Sequence, residues 1–205
     1  MSITFFAAPA SSSSPVACAL LELAVPHERV NLDLAKGEQK RPEFLAQNPN
    51  GKVPTLVVDG APIFEAVAIL QWLGDRYGVA RGIWPAADSP LRLRALAWTS
   101  WAYVSFGYPL SRLFYASSER LPAAFHNAAV AADSQAELQK LLALLNSELK
   151  AAPYLLGKEF SLADLVLSCT VNYARLCGVP TTEHPALEAW LARCAERPSL
   201  KTRWI

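Results

Sequence analysis

The sequence predicts an α+β domain built on a mixed four-stranded sheet over residues 1–80, then an all-helical domain over residues 89–205, with residues 81–88 as the linker. Three observations carry this reading. Residues 1–80 hold eight valines and three isoleucines, mostly in short runs cut by proline and glycine, the texture of strands alternating with helices. From Pro90 onward only six Val or Ile remain, and Ala and Leu dominate long stretches, so that half is helical. The change of texture falls between Gly78 and Ser89.

In the first half, residues 3–7 read as a strand, and residues 15–23 as a helix with Ser14 as N-cap and Pro15 at its first position. A second strand spans residues 28–34. A polar stretch, 36–42, and a helical turn around Phe44 lead to the turn Asn48-Pro-Asn-Gly51 and then to Val53-Pro54. Residues 55–58 form a third strand, Asp59-Gly60 a hairpin turn, and residues 61–64 its antiparallel partner. Glu65 opens a helix that runs to Tyr77 and stops at Gly78. The order β-α-β-β-β-α is the thioredoxin-like arrangement.

In the second half, Ser89-Pro90 starts a long helix through about Tyr115, and residues 122–150 supply another. Breakers gather at Pro153 and Gly157. Next, Ser161 and Asp164 are spaced as a capping box, with Phe160 and Leu165 placed as a hydrophobic staple. That helix ends near Cys177, ahead of Gly178 and Pro180, and a last one covers residues 185–197.

Nineteen basic and eighteen acidic side chains leave a net charge of +1, which removes any bulk electrostatic reason for nucleic acid or anionic membrane as partner. No apolar run approaches the roughly 18 residues of a membrane span, and no basic segment precedes the first apolar stretch, so the expectation is a cytoplasmic chain. The cysteines at 18, 169, 177 and 194 show no CxxC and no zinc spacing, and they read as small buried hydrophobes rather than disulfides or metal ligands. His27, His126 and His184 lie in or beside turns and read as surface residues.

Asn50-Gly-Lys-Val-Pro-Thr55, then Phe64-Glu65, then Phe160-Ser-Leu-Ala-Asp164, on these elements and in this order, resemble the cytosolic glutathione S-transferase family over the whole chain. Ala8-Pro-Ala-Ser11-Ser-Ser-Ser-Pro-Val and the segment 32–40 look most like its Ser-dependent classes, in particular the plant-type phi and bacterial pattern. The resemblance implies a homodimer that uses glutathione as cosubstrate without a metal, and a detoxifying transfer of its thiol to a small hydrophobic electrophile. Peroxide reduction and isomerisation stay open. So does a protein that keeps the fold only as a binding or interaction module.

The chemistry is legible in the residue types. A thiol titrates near ~8.5, and lowering that by about two units takes about 2.7 kcal/mol, within reach of one hydroxyl donor and the positive end of a helix. Ser11 to Ser14 supply both, with Ser11 the first choice by its match to the family motif and Ser12 one register away. The first strand carries Phe5 and Phe6 where other classes use tyrosine, and neither donates a hydrogen bond. Serine also replaces the cysteine of the thiol-transfer relatives, which disfavours mixed-disulfide chemistry. By the resemblance, Val53 before a cis Pro54 pairs with the cysteinyl main chain, and Gln39, Lys40 and Lys52 meet the glycine carboxylate. Glu65 takes the γ-glutamyl ammonium at a helix start. Alanine stands at position 66, where relatives place Ser or Thr, so only its N–H remains. Trp101, Ser105, Tyr108 and Arg112 fall on one stripe of the long helix, and the first three are the expected electrophile contacts.

Overall fold

A computed structural model describes residues 1–9 and 11–201; residues 202–205, the end of the expected helical domain, lie outside them. Two compact units emerge. The first holds residues 1–89 with the short C-terminal helix from Pro198, and the second holds residues 90–197.

The first unit is a four-stranded sheet of order β2-β1-β3-β4, with β1 at Ile3–Ala7, β2 at Glu28–Asn31, β3 at Thr55–Val58 and β4 at Ala61–Phe64. β1 pairs parallel with β2 and antiparallel with β3, and β4 closes the hairpin at Asp59-Gly60. The period-2 pattern of β1 buries Ile3, Phe5 and Ala7. Phe5, Leu56, Leu20 of α1 (Ser14–Glu22), Leu23 at its C-cap, and Ile69, Leu70 and Leu73 of α3 (Ala66–Leu73) are fully enclosed in the core of this unit, and the short α2 (Pro42–Leu45) buries Phe44.

β2 ends earlier than its apolar pattern suggests, because the Asp33 carboxylate accepts the N–H groups of Ala35 and Lys36 and turns the chain. Helix α1 starts one residue before its expected position: Ser13 sits at the N-cap, and Pro15 is second rather than first. The Ser13 hydroxyl makes no capping bond and instead accepts the Ala8 N–H at 3.4 Å.

The helix expected from Glu65 to Tyr77 also divides. Glu65 lies outside it at φ 68°, α3 ends at Leu73, and one wider π turn covers Gly74–Gly78. Gly74 is where the Trp84 ring closes on the helix: a Cβ there would lie 2.6 Å from the ring, and the indole N–H is held by Asp75 at 2.7 Å. Gly74→Ala is therefore expected to cost about 2 kcal/mol of stability through overpacking, read as a lowered midpoint in urea. Helix α9 (Pro198–Lys201) packs on α1, where the Ser199 hydroxyl bonds Glu22.

The second unit is all helical: α4 (Leu91–Tyr103), α5 (Gly107–Ser117), α6 (Ala128–Glu148), α7 (Leu162–Leu176) and α8 (Pro185–Ala195). The single long helix expected through Tyr115 is broken at residues 104–106. Pro109 explains the break, since it has no N–H for the Ser105 carbonyl and its ring would strike that carbonyl in a continuous helix. As the third residue of α5 it needs no such partner. Phe106, Leu113, Leu138, Leu142 and Trp190 fill the core.

The capping box at Ser161 and Asp164 is present and does more than start α7. Asp164 is fully buried. Its Oδ2 accepts the Ser161 N–H and hydroxyl, at 3.0 and 2.6 Å, and its Oδ1 accepts the Leu155 N–H and the Trp190 indole N–H, at 2.8 and 2.9 Å. Burial outweighs these donors and pushes the carboxyl above the ordinary aspartate range. His184 departs from its expected surface place: it is 8% exposed, and its Nε2 meets Gln139 Oε1 of α6 at 3.1 Å.

Candidate functional site

Nine of the expected contacts, Ser11, Ser12, Gln39, Lys40, Lys52, Val53, Pro54, Glu65 and Ala66, belong to the first unit. Sheet register orders several of them. Phe6 and Phe64 both pair with Thr55, the residue that follows Pro54, so β1 and β4 meet at the start of β3. Ala8, Phe44 and Val53 pack together with Phe6 and Leu32, which seats the β1–α1 loop against the segment before β3.

The Val53-Pro54 peptide is cis. Val53 lies beyond the last ladder pair, and its N–H makes no hydrogen bond among the described residues. Its carbonyl accepts the Ser12 hydroxyl at 2.9 Å. A serine at the mouth of α1 and the main chain of Val53, whose N–H has no partner among the described residues, are thus in direct contact. The Ser11 hydroxyl donates to the Ala8 carbonyl at 2.6 Å and lies 2.9 Å from Ser13 Oγ, and its oxygen accepts the Ser13 N–H at 3.2 Å.

Glu65 caps α3 with a backbone that a non-glycine residue rarely adopts, φ 68° and ψ 115°. Its side chain is exposed and its carboxylate has no partner among the described residues, while Ala66 behind it is buried. A strained, unpaired acid at a helix start is an anomaly for the free fold. Among the basic contacts, Lys40 Nζ donates to the Asn50 carbonyl at 3.3 Å, and Lys52 is exposed. The Gln39 amide donates to the Leu34 carbonyl at 3.4 Å, whereas its Oε1 is buried without a partner among the described residues. Gly51, at φ +57°, lets this loop close: a Cβ there would meet the Gln39 carbonyl oxygen and Lys40 Nζ at 2.8 Å.

One positioning residue escapes the motif reading. Asn48 is 2% exposed; its amide donates to the Lys52 carbonyl at 2.7 Å and to Thr55 Oγ1 at 3.0 Å, and its oxygen accepts the Asn50 N–H at 3.0 Å. It ties the turn to both sides of Val53. The sequence marked it only as a turn former, since its partners depend on how the loop folds back.

Trp101, Ser105 and Tyr108 do not share one helix. Trp101 lies in the last turn of α4 with its ring on Trp98 and Phe106, Ser105 lies in the break, and Tyr108 lies in the first turn of α5, 63% exposed beside the Arg112 guanidinium. The 3- and 4-residue stripe is interrupted there. Within the second unit a cleft of about 380 Å³ involves Tyr108, Arg112, Tyr115 and Phe125, without Trp101 or Ser105. In the first unit a cleft of about 430 Å³ runs between Ala8-Pro9 and segment 31–38.

None of the four cysteines is in a disulfide; Cys18 and Cys194 are buried, Cys169 and Cys177 half-buried. Burial pushes the Cys177 and Cys194 thiols up, away from thiolate character. Among the described residues no three His, Cys, Asp or Glu side chains gather as metal ligands, and no helix is long and apolar enough to cross a membrane.

Comparison with known proteins decides the family. Residues 1–75 match the model of the glutathione S-transferase N-terminal domain, and residues 128–193 that of its C-terminal domain. Glutathione S-transferase GstB of Escherichia coli is 30% identical over 185 residues, covering 89% of this chain and 87% of its own. The chain belongs to the glutathione S-transferase family. Another relative, the disulfide-bond oxidoreductase YfcG of Escherichia coli, is 28% identical over 207 residues, 96% of this chain and 92% of the relative. A sphingomonad glutathione S-transferase solved with glutathione superposes with a TM-score of 0.84 at 30% identity, over 97% of this chain and 95% of that one. The family fold of a mixed four-stranded sheet unit followed by helices is the architecture described above.

Proposed function

We propose that the chain binds glutathione in its first unit and holds the sulfur as thiolate for attack on a small hydrophobic electrophile. The observation that carries this is the contact of Ser12 with Val53, which joins a hydroxyl donor at a helix start to a main-chain segment whose N–H has no partner among the described residues and which suits the cysteinyl unit. The site supports the rest of the tripeptide as well. Glu65 offers a free carboxylate for the ammonium, and the Ala66 N–H takes the neighbouring carboxylate. Gln39, Lys40 and Lys52 supply donors for the glycine end. Ser11 or Ser12 supplies the hydroxyl at sulfur, worth part of the roughly 2.7 kcal/mol that two units of thiol acidity require. Trp101, Ser105 and Tyr108 are assigned to the electrophile, and the protein to a cytoplasmic homodimer, by the family resemblance.

A second reading has specific support. Ala66 lacks the hydroxyl of relatives and Lys52 stands where they often have Gln, as a binding module without turnover would tolerate. The named oxidoreductase relative adds a third substrate class, disulfides. Steady-state turnover with glutathione of an aromatic chloride, a hydroperoxide and a mixed disulfide tests these together. Conjugation of the chloride is the expected result; turnover of the disulfide alone assigns redox chemistry, and saturable binding without any turnover assigns the module.

A further inference from the structure

The hydrogen bond between Ser12 and Val53 joins two groups that glutathione would engage separately. A hydroxyl carries one proton, so a Ser12 side chain that donates to the Val53 carbonyl cannot at the same time donate to a sulfur. That carbonyl is the acceptor offered to the cysteinyl N–H of the tripeptide. Ser11 is placed differently. Its partners, the Ala8 carbonyl, Ser13 Oγ and the Ser13 N–H, all lie within the β1–α1 loop, and none is the Val53 main chain. Ser13 is 2% exposed and spends its oxygen on the Ala8 N–H. Of the three, Ser12 alone is exposed and held by an acceptor for which the ligand competes.

We propose that Ser12 is the hydroxyl that meets the sulfur, and that it is released by the ligand itself: the cysteinyl N–H takes the Val53 carbonyl, and the displaced Ser12 hydroxyl turns its proton to the sulfur. This rests on the glutathione reading given above. The proton of the thiol leaves to bulk water, Ser12 keeps its own, and no covalent bond to the serine forms. The free chain stores its donor in an internal bond, and the bound chain exchanges that bond for two, one at the carbonyl and one at the sulfur.

The exchange has a signature that a plain donor does not. Removing the hydroxyl frees the Val53 carbonyl from competition, so a ligand with a blocked sulfur gains affinity, while glutathione loses its thiolate. Wild type, Ser12→Ala, Ser12→Thr and Ser11→Ala are titrated with S-methylglutathione by calorimetry and with glutathione by the ultraviolet band of bound thiolate. Expected for Ser12→Ala is S-methylglutathione binding tighter by about threefold, an internal hydrogen bond no longer having to be displaced, together with loss of the thiolate band. Ser12→Thr, which keeps the hydroxyl, restores the band, whereas a band lost in Ser11→Ala and kept in Ser12→Ala assigns the sulfur to Ser11 and overturns the exchange. A band that persists in Ser12→Ala, or S-methylglutathione binding that weakens in it, overturns the exchange while leaving the glutathione site in place. Failure of the wild type to bind either ligand overturns the glutathione reading itself.

Discussion

Asp164→Ala is expected to lower stability by about 4 kcal/mol, the largest effect of any single substitution considered. The variant removes one fully buried carboxylate and strands four donors: the Ser161 N–H and hydroxyl, the Leu155 N–H and the Trp190 indole N–H. A buried donor without a partner costs about 1–3 kcal/mol, and partial access of water to the new cavity recovers some of the sum. The carboxylate also joins parts that are distant in sequence, the loop at Leu155, the start of α7 and the Trp190 ring of α8, so the loss spreads beyond the cap. Urea unfolding followed by circular dichroism measures it. A shift under about 1 kcal/mol would mean that Asp164 is no more than an ordinary helix cap.

Glu65→Gly is expected to act in opposite directions on stability and on binding. At φ 68° and ψ 115° the glutamate holds a backbone that costs about 1–3 kcal/mol in a residue with a Cβ. Glycine relieves it and returns about 0.5–1 kcal/mol in extra chain entropy, leaving a net gain of about 1 kcal/mol. Glutathione affinity falls at least tenfold, about 1.4 kcal/mol, because the ammonium loses its carboxylate. Glu65→Gln, which keeps the Cβ, loses the affinity without the gain in stability. A more stable Glu65→Gly that still binds glutathione as the wild type does would remove Glu65 from the site, and a less stable one would remove the strain.

Local signals in the sequence proved reliable where the partners are close in the chain. The Asp59-Gly60 hairpin, with φ of 47° and 86°, and the capping box at Ser161 are decided by residues within three positions of each other. The break at residues 104–106 is also written locally, in Gly107 and Pro109, beneath the helical texture of the surrounding stretch. His184 is buried because Gln139, 45 residues earlier, reaches it. The choice between Ser11 and Ser12 turns on a carbonyl 41 residues away, and no spacing rule within the serine run reports that contact. The family motifs marked the stretch around Val53 without marking Asn48, because the bonds that hold that stretch run from its side chain to main chain beyond the turn.

Calorimetric titration of the purified chain with glutathione, read together with the ultraviolet band of the thiolate, addresses the proposed site most directly. One glutathione bound per chain, with a thiolate band that persists below the pH at which free glutathione ionises, is the expected result. No heat and no band at millimolar glutathione would contradict it and leave a member of the family that keeps the fold without its cosubstrate.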